Sequence, residues 1–87
     1  MAAPQIVFAE LEKKFSWDPE ISEWLLAYDG LGAKSVDDFL HMAASEQGNE
    51  FEAVVKAAGC SNALQQVSRL RQAWTSLRHA ASAADEV

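Results

Sequence analysis

The run from Asn62 to Ala83, NALQQVSRLRQAWTSLRHAASA, decides the fold. Val67, Leu70, Trp74, Leu77 and Ala81, followed by Ala84, recur at alternating steps of three and four residues. That spacing puts them on one face of a single long helix, because an α-helix turns by about 100° per residue. A helix with one apolar seam must bury it, so the rest of the chain has to supply the covering surface. The same seam would serve a dimer, but the central rod of a monomeric bundle is the preferred reading.

Working upstream, Phe51, Val54, Val55 and Ala58 form a second stripe, opened by Asn49 with Glu52 at capping-box spacing and closed by Gly59. Val36, Phe39, Leu40 and Ala43 form a third, to about Ala44, behind Ser35 and Asp38 at the same spacing. Ile21, Trp24, Leu25 and Tyr28 give a full face at i, i+3, i+4 and i+7, begun by Asp18-Pro19. Gly30, taking the left-handed conformation, is expected to end that helix, with Leu31 folding back onto its last turn. Phe8, Leu11 and Phe15 mark the segment from about Pro4 to Phe15, which reads either as a helix or as an N-terminal arm. Asp85-Glu86-Val87 reads as a frayed tail. Sustained alternation with β-branched enrichment is absent, so the class is all-α: a single domain over residues 1–87, a bundle of about five short helices with a long C-terminal one.

Composition agrees and sets limits. With 87 residues, 49% hydrophobic and 23% charged, the chain suits one compact domain and excludes disordered or collagenous classes. Its longest apolar runs fall well short of the roughly 18 residues a bilayer needs, so no membrane partner is expected. Met1-Ala2-Ala3-Pro4 lacks the basic residues and apolar block of a secretory signal, and the expected location is intracellular. One cysteine, Cys60, cannot form an internal disulfide, and with two histidines and no Cys-x-x-Cys pair the ligands for a structural zinc are missing. No cofactor or metal is expected.

Charge is segregated. Met1 to Cys60 carries eleven acids and four lysines, whereas Ser61 to Ala84 carries Arg69, Arg71 and Arg78 and no acid. Two physical readings follow: the arginines pair with the bundle's own acids, or part of the helix meets an acidic surface on another molecule. Trp17 stands in a connector, where it either staples the first helix to the second or anchors a partner. Chemistry-bearing candidates are few. His41 and His79 share no spacing with each other or with Cys60, and they read as surface or core-edge side chains. Cys60 follows Gly59 near a helix start, where a dipole can activate a thiol, but small unpaired cysteines usually act as filling. Asp37 and Asp38 point about 100° apart on a helix and read as a helix-start device, not a metal pair.

Gly30-Leu31-Gly32-Ala33-Lys34-Ser35-Val36-Asp37-Asp38-Phe39-Leu40 resembles the helix-hairpin-helix motif. That resemblance implies backbone amides and a base gripping a phosphate without reading sequence, with Gly30, Gly32 and Lys34 as contacts. Asp37, Asp38 and the acidic surroundings oppose nucleic acid. The wider run from Ile21 to about Leu77 is similar to the sterile alpha motif, through Trp24-Leu25, the glycine-bearing turn before Phe39, and the long helix after Val55-Lys56-Ala57-Ala58-Gly59. That resemblance implies a small helical bundle used for self-association and partner binding. The expected function is a non-enzymatic protein-interaction or self-association module acting through Arg69, Arg71 and Arg78, with Trp17 as a further anchor. The alternatives are weak sequence-independent nucleic-acid binding through Gly30, Gly32 and Lys34, or a packing domain of a larger polyprotein.

Overall fold

Each apolar stripe becomes a helix. In the computed structural model, which describes residues 3–85, α1 spans Pro4–Phe15, α2 Pro19–Leu26, α3 Val36–Leu40, α4 Glu50–Ala58 and α5 Ala63–Asp85. No strand occurs among the described residues. Asp85 closes α5, and the rest of the expected tail, Glu86 and Val87, lies outside the described residues, as does the side chain of Ala84. No described helix is long and apolar enough to cross a membrane.

The segment read as helix or arm is a packed helix. Pro4 lies in its first turn, where a missing N–H costs nothing, and Lys13 and Lys14 complement the negative end of its dipole. Phe8 and Leu11 enter the core. Helix α5, about 34 Å long at 1.5 Å per residue, packs against α1, α3 and α4, while α2 packs against α1 and α4. Val67, Leu70 and Trp74 are buried and Leu77 packs at the core edge, so the seam is covered over its first three turns. Ala81 is exposed, because the last turns of α5 carry the seam past the elements that cover it.

Aromatic rings meet edge to face across the centre. Phe39 takes Phe8 on one side, with centroids 5.4 Å apart, and Trp17 on another at 6.2 Å; Phe51 meets Trp74 at 5.4 Å. Phe39 is fully buried although α3 has only five residues. Burying such a side chain contributes roughly 1.5–3 kcal/mol, so one ring fixes this short helix.

Helix ends depart from the sequence expectations in four places. Helix α2 stops at Leu26, Ala27 turns extended, and Tyr28 leaves the apolar face to stand fully exposed in the turn. The left-handed residue of that turn is Gly32, at φ 63°, not Gly30. Leu31 does fold back: its N–H donates to the Trp24 carbonyl and that of Ala33 to the Leu25 carbonyl, satisfying the end of α2. Helix α3 stops at Leu40 instead of running to Ala44, because the Trp74 indole N–H sits between the Phe39 and Leu40 carbonyls, 3.2 Å from each. Neither expected capping box forms, since Ser35 and Asn49 make no side-chain cap bond. Gly59 does close α4 in the left-handed region, at φ 79°.

Candidate functional site

The three arginines do not form one patch. Arg71 and Arg78 are seven residues apart and share a flank of α5, whereas Arg69 is rotated about 200° from Arg71 and faces the other side. Arg69 donates from Nη1 to the carbonyl of Ser16 at 2.7 Å, on the end of α1. Ser16 is left-handed at φ 58°, so the guanidinium meets the exposed C-terminal carbonyls of that helix, where a cation is favoured. Arg71 lies over the Phe51 ring at 5.5 Å and keeps a buried Nε with no hydrogen-bond partner. Arg78 lies over the Trp74 ring at 5.0 Å and donates from Nη1 to the Ala44 carbonyl at 3.2 Å. Among the described residues the hydrogen bonds of these arginines go to backbone carbonyls and not to carboxylates. Guanidinium has five N–H donors in a planar fork, so one such bond orients the group and leaves most of its capacity unused.

Trp17 takes the staple position and lacks the exposure of an anchor. It is 3% exposed, its indole N–H donates to Ser22 Oγ at 2.8 Å, and Ser22 in turn donates to Glu12 at 2.9 Å. With its ring edge-on to Phe39, Trp17 staples α1 to α2 and to the core. The connector position left both readings open, and burying a large ring while satisfying its one donor decides for the staple.

Around Arg78 the surface is concave on two sides. A cleft of about 290 Å³ is lined by Ser45, Glu46, Trp74, Thr75, Arg78 and His79, and Thr75 donates to Glu46 across it at 3.2 Å. On the other side, Asp37, Leu40, His41 and Ala81 join Arg78 in a second depression. His41 and His79 are thus both exposed side chains beside Arg78, brought closer to one surface than their spacing indicated.

The turn from Gly30 to Lys34 has the left-handed Gly32 and an exposed Lys34. The Lys34 N–H, which a phosphate would need, already donates to Asp38 Oδ2 at 2.9 Å. A carboxylate of the chain therefore occupies the anion position at the start of α3. Gly30 is held for another reason: a Cβ there would run into the Trp24 carbonyl oxygen.

Cys60 is half-buried, and burial together with the Asp18 carboxylate, which acts as a charge and as a hydrogen-bond acceptor, and the charge of Glu20 pushes its thiol up to about 11. The helix start does not activate it, because the thiolate would form beside carboxylates. Among the described residues no group of three or more His, Cys, Asp or Glu side chains is placed to hold a metal ion.

Two features escaped sequence reasoning. Gln66 is 3% exposed, and its Oε1 accepts the backbone N–H of Asp18 at 2.7 Å, so a polar residue on α5 secures the start of α2. Leu64 is 86% exposed at the mouth of a cleft shared with the end of α1. Gln66 precedes the seam residue Val67 and lies four residues before Leu70, a spacing that does signal burial. Nothing in the sequence marks Leu64 as exposed.

No family model, curated protein or solved structure matches the chain. The fold itself, a small all-helical bundle with a long C-terminal helix, is what the chain shows.

Proposed function

We propose that this chain is a non-enzymatic protein-interaction module that engages a protein partner or a second copy of itself through the flank of α5 carrying Arg71 and Arg78. The observation that carries the reading is Arg78: an exposed guanidinium, seated on the Trp74 ring and fixed by one carbonyl, between two concave surfaces. A cation held in place loses little freedom on meeting a carboxylate, and its planar fork sets the direction of approach. The acid-rich first sixty residues of a second copy offer such carboxylates. The similarity of residues from Ile21 to about Leu77 to the sterile alpha motif belongs with this reading as a resemblance. The raised Cys60 thiol favours it, since a thiol kept protonated by burial and by Asp18 is a poor nucleophile. The nucleic-acid alternative through Gly30, Gly32 and Lys34 draws no support from the turn, where Asp38 holds the anion position.

Sedimentation velocity over a range of concentrations tests the self-association arm. Wild-type chain is expected to associate more as concentration rises, and Arg71→Glu with Arg78→Glu to return it to monomer. Association that survives both reversals places the contact elsewhere on the molecule. Strict monomer behaviour of the wild type removes the second copy as the occupant and leaves a different protein.

A further inference from the structure

The opposite flank of α5 carries a separate surface. Between the end of α1 and the first half of α5 runs a cleft of about 560 Å³ lined by Lys14, Phe15, Leu64, Gln65, Ser68 and Arg69, among others. None of its described lining residues is acidic, on a chain of net charge −6. Its lip is basic: Lys14 Nζ lies 5.5 Å from the Phe15 ring centroid, and Arg69 is oriented by its bond to the Ser16 carbonyl. The apolar part is Phe15, half-buried, and Leu64, 86% exposed. An exposed leucine beside a lysine and an oriented guanidinium, in a cleft whose described lining lacks carboxylates, presents apolar contact and positive charge together.

We infer that this cleft docks an acidic peptide segment of another protein, with an apolar side chain seated against Phe15 and Leu64 and flanking carboxylates on Lys14 and Arg69. Charge complementarity selects the partner: a basic segment meets two cations and no acid, whereas an acidic one gains charge-assisted hydrogen bonds to an Arg already held in place. Attraction of this kind is screened within about 8–10 Å at moderate salt, so the rest of the negative molecule repels the ligand only weakly beyond its immediate neighbours. The site is distinct from the Arg71 and Arg78 flank, and its failure leaves that reading standing.

A display library of random peptides of about 12 residues, selected on the immobilised full chain, tests it. Peptides rich in Asp and Glu around a single large apolar residue are expected to enrich. A labelled consensus peptide should bind more weakly as salt rises. Its affinity should drop about tenfold or more with Lys14→Glu or Leu64→Ser, and by a similar factor with Gln65→Glu, which adds a carboxylate to the cleft while keeping the acceptor that Asn62 uses. Arg78→Glu should change it by less than about twofold, since it lies on the far flank. All these side chains are exposed, and unchanged far-UV circular dichroism verifies folding. Absence of enrichment, enrichment of basic or uncharged peptides, or affinity indifferent to all three cleft variants overturns the proposal. So does wild-type self-association that the same three variants abolish, because the occupant is then a second copy.

Discussion

Gln66 shows how much one buried polar side chain can decide. Its Oε1 takes the Asp18 N–H, one of the unsatisfied donors at the start of α2, and Asp18 is forty-eight residues away in sequence. Gln66→Leu keeps the volume and removes the acceptor, so it is expected to cost about 1–3 kcal/mol in a urea titration. Cys60 makes a second prediction at this scale. Its folded thiol is raised from an ordinary 9.0 to about 11 by burial and by Asp18, so the folded chain keeps the proton where the unfolded chain has lost it. Stability from this group is fully present below about pH 9, and it is lost as pH rises through about 11. Melting temperature should therefore fall over that interval, and Cys60→Ser should flatten the fall. Iodoacetamide labelling of the native chain should also show a rate midpoint near 11. The sequence made the thiol's isolation legible but not its neighbours, because Asp18 and Glu20 approach it only in the fold. For Trp17 the staple was legible as one of two readings, but its partners were not, because Ser22, Glu12 and Phe39 come together around it from three different helices.

Helix faces were legible and helix ends were not, because stripes depend on spacing within an element while ends depend on what lies across from them. The residues named for the faces of α1, α4 and α5 lie in or against the core as far as Leu77. Tyr28 is the exception on α2, released when the turn folds back through the N–H groups of Leu31 and Ala33. Helix α3 ends where Trp74, on a distant helix, binds its carbonyls, and no local signal announces that. The glycines of these ends separate two effects. At Gly59, φ is +79° and an added Cβ meets nothing, so Gly59→Ala carries only the left-handed penalty of about 1–2 kcal/mol. At Gly30 the Trp24 carbonyl and ring stand in the way, and the turn must move. Gly30→Ala should therefore be the more damaging of the two in a thermal melt, and the loss should include weaker protection of the Leu31 and Ala33 amides from hydrogen exchange. Equal losses would mean that the turn yields to the methyl group.

For the whole molecule, α5 is the shared support, since α1, α3 and α4 each pack on it. A chain of this size buries only a little over ~60% of its unfolded surface, and stabilities of such domains sit near the low end of about 5–15 kcal/mol. Trp74 concentrates that dependence. It is 1% exposed, meets Phe51 edge to face, supports Arg78 with its ring, and spans the last two carbonyls of α3 with its N–H. Truncating a ring of this size costs about 3–5 kcal/mol, most of what such a domain has, so Trp74→Ala should unfold at or just above room temperature. The unfolding should also be global. Trp17, held against Phe39 and bonded to Ser22, reports the packing of α3 on the α1–α2 connector. If the bundle is one cooperative unit, Trp17 fluorescence and far-UV circular dichroism should lose their native signals at the same temperature in Trp74→Phe, which retains an aromatic filling but drops the bond to α3. If the Trp17 signal is lost at a lower temperature than the helical signal, the α1–α3 side melts apart from the rest and α5 joins two separable halves. The Arg69 and Arg78 flanks would then answer to different stabilities.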